Sequence, residues 1–178
     1  MTVEALATSP LAHRAGDLAA IEAAEVSQLR QVDLRMDPAL THRSSLPFPS
    51  RPNTYATGST VEVLWLGPDE WLLVGSAHTT HGLVADLEQA LAGEHRSLVD
   101  VPAARAVLEL MAPDALELVS KGCGLDLHPR SWHAGDCAQT LLARVPVILQ
   151  QRGEATRIFV RPSFGDYLVD WLVAARAD

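Results

Sequence analysis

Apolar residues along this chain fall into short runs whose period changes several times, so helices and strands are interleaved rather than repeated. Residues 17–25, "DLAAIEAAE", predict a short helix. In "VSQLRQVDLRM", residues 26–36, Val26, Leu29, Val32 and Leu34 alternate well enough for a strand. "VEVLWL" and "WLLVG" are two apolar strands, and the "GPDE" between them holds the Gly, Pro and Asp that tight turns require. Residues 80–92 predict an amphipathic helix capped by Thr80, with Leu83, Val84, Leu87 and Leu91 on one stripe and Gly93 as its left-handed terminator. Strands are predicted around 97–101 and 105–111, followed by a helix opened by Pro113 and closed by Gly122. Three more strands are predicted at 137–144, 146–151 and 156–161. In "SFGDYLVDWLVAARA" the pair Ser163 and Asp166 reads as a helix start signal. Phe164, Tyr167, Leu168, Trp171, Leu172 and Ala175 then recur at helical spacing as a core stripe. Mixed elements without regular βα alternation predict an α+β fold with a largely antiparallel sheet and packed helices.

One segment breaks the pattern. Residues 37–59 carry four prolines and many Ser and Thr, which predicts a long surface loop. Its Phe48 and Tyr55 are candidate anchors for a partner. The part before it is too small to fold alone, so residues 1–178 are expected to form a single domain.

The net charge of −8 comes from 22 acidic and 14 basic residues, and 13 of the basic residues are arginine, with Lys121 the sole lysine. Scattered arginines on an acidic chain argue against nucleic-acid binding, which needs clustered cations. No apolar run approaches the roughly 18 residues that span a bilayer. "MTVEALATSPLAHRAGD" has neither the basic start nor the apolar centre of a signal peptide, so a cytoplasmic location with reduced thiols is expected.

The candidate chemistry lies in "SKGCGLDLHPRSWHAGDC", residues 120–137, where Cys123, His128, His133 and Cys137 are spaced five, five and four apart. Structural zinc sites start from tight knuckles such as C-x₂₋₄-C. Here thirteen residues separate the cysteines, and Leu125, Leu127 and Trp132 between them look like core contacts. The spacing favours a small residue after a helix end at Cys123 and the first residue of a strand at Cys137. His128 and His133, beside Asp126 and Asp136, are the best candidates for a catalytic role. No G-x-S-x-G, GxGxxG or phosphate-binding glycine loop is present.

Five blocks in order give the chain a family resemblance. "SPLAHR" (9–14), "LWLGPDEWLLV" (64–74), "VDVPAARAVLELMAPDALELVSKGCGLDLHP" (99–129), "GDCAQTLLARVPVIL" (135–149) and "SFGDYLVDWL" (163–172) resemble the gamma subunit family of heterotetrameric sarcosine oxidase. The likeness covers essentially everything but the 37–59 loop. It implies a subunit of an oxidoreductase complex that demethylates sarcosine oxidatively, with tetrahydrofolate as one-carbon acceptor. Partners would be alpha, beta and delta subunits, chiefly alpha, and FAD, FMN, NAD, tetrahydrofolate and zinc would sit in those subunits. It also implies no catalytic, cofactor-binding or metal-binding residue in this chain.

That family in turn looks like the folate-binding aminomethyltransferases of the glycine cleavage T-protein type, which carry an Asp on the strand after the cysteine block. Here residues 138–153, "AQTLLARVPVILQQRG", contain no Asp or Glu, and Ala, Leu, Val and Gln cannot act as a general base. The resemblance thus implies the scaffold without the chemistry. An independent folate-binding or aminomethyltransferase-like protein is the alternative. Pro102, Ala112 and Pro162 depart from the residues usual in the family, and admit another N-methyl amine as the substrate of the complex.

Overall fold

Strands that are apolar at nearly every position need both faces covered, and the fold supplies two covers. The computed structural model describes residues 9–76, 82–101 and 104–177. Its elements are α1 (Ala15–Ala20), β1 (Ala23–Glu25), β2 (Leu29–Met36), β3 (Tyr55–Thr57), β4 (Glu62–Gly67), β5 (Glu70–Ser76), α2 (Leu83–Ala90), β6 (Arg96–Asp100), β7 (Ala106–Leu110), α3 (Ala115–Ser120), β8 (Cys137–Leu142), β9 (Val145–Arg152), β10 (Ala155–Val160) and α4 (Gly165–Ala177). They build two five-stranded sheets, ordered β1-β7-β10-β9-β8 and β3-β4-β5-β2-β6. Every strand pair is antiparallel. The expected α+β class holds, with two sheets in place of one.

The layers run helices, sheet, sheet, helix. Ile158 and Val160 of β10 face α1, α3 and α4, while Phe159 faces the second sheet with Leu64, Leu72, Val107 and Ile148. On β5, Leu72 and Val74 join that inter-sheet core, and Trp71 and Leu73 face α2. β5 and β10 therefore have two buried faces each, which is why their sequences do not alternate.

Several expectations shift. The helix expected at 17–25 stops at Ala20, because Glu22 takes a positive φ of 52° and β1 pairs with β7, Ala23 opposite Leu110. The 37–59 loop is tied down: it holds a 3₁₀ helix at Pro38–Arg43 and the strand β3. Its Phe48 sits edge-on to Trp71, ring centroids 5.2 Å apart, and the Tyr55 hydroxyl donates to the Gln151 carbonyl at 3.1 Å. Both aromatics are thus engaged within the fold while remaining partly exposed. Thr80 lies outside the described residues, and α2 begins after Gly82, whose φ is 82°. Gly93 has the left-handed φ expected, also 82°.

The face that α4 buries is Gly165, Leu168, Val169, Leu172 and Ala175. Phe164 and Tyr167 stand at the surface, and Trp171 lies half-buried at the edge of the core. Asp166 makes no capping box with Ser163; its carboxylate lies against His13 Nε2 at 2.7 Å and Arg14 at 3.1 Å, which clamps the N-terminal segment to the helix. Trp171 covers Gly122 so closely that a Cβ there would lie 2.5 Å from the indole ring. Gly122→Ala should therefore cost about 1–3 kcal/mol through overpacking, read as a lower melting temperature.

Candidate functional site

The 120–137 segment leaves α3, makes two isolated bridges, Cys123 to Leu142 and Asp136 to Thr54, and returns into β8. Short polar staples shape it. The Asp126 carboxylate accepts from the His128 backbone N–H at 3.1 Å and from the Ser131 hydroxyl at 2.8 Å. The Arg130 N–H donates to His128 Nδ1 at 3.2 Å. Asp136, nearly buried, accepts from the His133 N–H at 2.7 Å and from Arg51 at 3.2 Å. Beneath them the buried Trp132 donates its indole N–H to Gln151 Oε1 at 3.3 Å, an oxygen that also accepts from Thr156 at 2.9 Å.

The result is a cleft of about 440 Å³ lined by Arg51, Asp126, Ser131, Trp132, His133 and Asp136. The structure thus brings together His133, Asp126 and Asp136. The cysteines do not join them. Cys123 Sγ lies 3.8 Å from Thr140 Oγ1, and Cys137 Sγ points to the Trp65 carbonyl at 3.7 Å, on the inter-sheet side. Among the described residues no three His, Cys, Asp or Glu side chains are arranged to hold a metal ion.

Chemically, both carboxylates are occupied. Hydrogen bonds to Ser131 and the His128 backbone favour the ionised form of Asp126 and hold its carboxyl below the usual range, which makes it a weaker base. Cys137 is no nucleophile: burial pushes its thiol up to about 12. A thiol reagent should leave Cys137 unmodified in the native protein and label it only on unfolding, with half-buried Cys123 reacting first; mass spectrometry of the labelled peptides checks this.

A second polar constellation lies between the sheets and was missed in the sequence. Glu62 of β4 accepts from Arg152 Nε at 3.0 Å, Gln150 at 3.1 Å and Arg157 Nη1 at 3.3 Å. Glu109 of β7 accepts from Arg157 Nε at 2.5 Å and Arg152 Nη1 at 3.2 Å. Glu62 and Arg157 are each only 8% exposed, so two acids and two guanidiniums close a ring across the sheet interface that is buried at Glu62 and Arg157 and reaches solvent at Arg152. The acid-free stretch 138–153 is therefore not free of carboxylates in space, because β4 and β7 deliver them to Arg152. The signal was there: Glu62, Glu109 and Arg157 are charges inside otherwise apolar strand runs. Both oxygens of Glu62 are taken, which leaves it a structural partner rather than a free base.

Known proteins give this arrangement a family. Residues 33–178 match the family described as "Sarcosine oxidase, gamma subunit family". The chain is 36% identical to "Sarcosine oxidase subunit gamma" of Corynebacterium sp. (strain U-96), across 97% of this chain and 91% of that one. A protein of the same description from Arthrobacter sp. is 40% identical across 65% of this chain and 57% of its own. Among solved structures, "Heterotetrameric Sarcosine Oxidase from Corynebacterium sp. U-96 in complex with pyrrole 2-carboxylate" contains a chain with a TM-score of 0.87 and 34% identity, covering 96% of this chain and 94% of that one. Aminomethyltransferase T of the glycine cleavage system from Bartonella henselae shares the fold, with a TM-score of 0.66 at 13% identity over 89% of this chain and 48% of its own. With residues 33–178 matched by the family and 97% of the chain aligned to a relative 36% identical, this chain belongs to the sarcosine oxidase gamma subunit family.

Proposed function

We propose that this chain is the non-catalytic gamma subunit of a heterotetrameric oxidoreductase that demethylates sarcosine, or a related N-methyl amine, with tetrahydrofolate accepting the one-carbon unit. Its partners are the alpha, beta and delta subunits, chiefly alpha. FAD, FMN, NAD, folate and zinc belong to those subunits, and the complex works in the cytoplasm. No helix among the described residues is long and apolar enough to cross a membrane, which accords with that location.

One observation carries the assignment of a scaffold role. The acidic groups placed to do proton chemistry, Asp126 and Asp136 in the cleft and Glu62 between the sheets, are already hydrogen-bond acceptors for the fold itself. A pteridine amine needs a carboxylate it can reach, and these residues do not fit that demand. The same observation weighs against an independent folate-binding transferase on this scaffold.

Expression of the chain with and without the other subunits, followed by size-exclusion chromatography and a folate titration, tests the proposal. The expected result is co-elution in one complex, dependence of its assembly or folate coupling on this chain, and no folate bound by the chain alone. Stoichiometric folate on the isolated chain would favour the transferase reading.

A further inference from the structure

We propose that the end of the inter-sheet space beside Arg152 and Arg157 is a binding site for a small carboxylate with a short apolar body. In the ring of charges described above both oxygens of Glu62 are taken, Glu109 accepts from both guanidiniums on Oε2, and each guanidinium keeps one nitrogen over. Each guanidinium gives Nε and Nη1 to the two glutamates, so the Nη2 group of each has no partner among the described residues. Both arginines line a cleft of about 230 Å³, together with Glu62, Thr57, Thr60, Leu29 and Val74. Gly58 and Gly75 lie along its wall and bring backbone, not side chain, to the opening.

The lining selects the ligand. At one end the guanidiniums stand beside the Glu62 carboxylate, whose two oxygens are already taken, so the groups left over are guanidinium N–H donors, which pair best with the two oxygens of a carboxylate. Along the sides, Leu29, Val61 and Val74 offer apolar surface to a short hydrocarbon body. The volume equals that of about eight waters at roughly 30 Å³ each, room enough for a single-ring carboxylate. Glu62 and Glu109 balance the two positive charges, so long-range attraction is weak and recognition rests on contact geometry. With so few contacts, binding in the millimolar range is expected. No bond is made or broken there; the ligand is held, not converted.

The probe is 4-bromobenzoate, with its uncharged isostere 4-bromobenzamide as control. Titration of the full chain should show at least tenfold tighter binding of the benzoate than of the amide. Arg152→Gln, which leaves Arg157 paired with both glutamates, should weaken benzoate binding at least tenfold. In crystals of the assembled complex soaked with the probe, the anomalous signal of bromine should fall between Leu29 and Val74. Equal binding of acid and amide, or bromine elsewhere on this chain, would overturn the proposal. So would unchanged binding by a folded Arg152→Gln chain. If that variant does not fold, the acid-to-amide ratio and the bromine position decide alone. Binding by the free chain with exclusion from the complex would also overturn it, and would mean that a carboxylate of a partner subunit takes this seat.

Discussion

Glu62→Gln should lower stability by about 3 kcal/mol, the scale on which an uncompensated buried charge destabilises a fold. The substitution keeps the shape and deletes one of two negative charges from a ring holding two guanidiniums. Arg157, only 8% exposed, would then keep as its sole carboxylate Glu109, which it already shares with Arg152. For a chain of this length that loss corresponds to a fall of about 6–12 °C in melting temperature. The double variant Glu62→Gln/Arg157→Gln restores charge balance, one acid to one guanidinium. It should melt well above the sum of the two single losses, since residues of one network do not behave additively. Thermal melts of the three variants make the cycle, and strict additivity would mean the ring is not electrostatically coupled.

Phe159→Ala should be as damaging, at about 3–5 kcal/mol, the range for truncating a large buried aromatic. Phe159 is 1% exposed and fills the space between the two sheets against Leu64, Leu72, Val107 and Ile148. Strands on both sides limit how far that space can collapse, which keeps the residual cavity large. Trp171→Ala makes the comparison: the indole is half-buried at the core edge, so water can enter, and its loss should be smaller. Denaturant unfolding of both variants checks the order, and a larger loss at Trp171 would contradict it.

Elements whose signals are local were readable in the sequence. The hairpin β4–β5 follows from Gly67, Pro68 and Asp69, and the left-handed Gly93 from its place after α2. What failed depended on tertiary pairing. Ala23, Ala24 and Glu25 have good helix propensity, yet they pair with β7, since a ladder and a buried Ala23 outweigh a weak local preference. The turn between β8 and β9 carries positive φ at both central residues, 49° at Ala143 and 70° at Arg144, and neither is the Gly or Asn that marks such a turn. The buried face of α4 was displaced because apolar residues surround the helix, leaving its periodicity without a clear phase. At the site, the proximity of Asp126, His133 and Asp136 was legible because one short loop carries all three. The Glu62–Arg157 ring was not, because it joins strands 95 positions apart.

In the proposed role this chain supports the complex without taking part in its chemistry. A group outside the transition state contributes no differential stabilisation, so its removal leaves turnover nearly unchanged. Asp126 and Asp136 act as loop staples, and His128 and His133 occupy the same loop. The most direct measurement is the turnover number of the assembled complex, with and without folate, after Asp126→Asn, His128→Gln, His133→Gln and Asp136→Asn made singly. Each is predicted to stay within about threefold of the parent complex. A fall of about a hundredfold or more from any one of them, with assembly intact, would place a catalytic group in this chain and contradict the account.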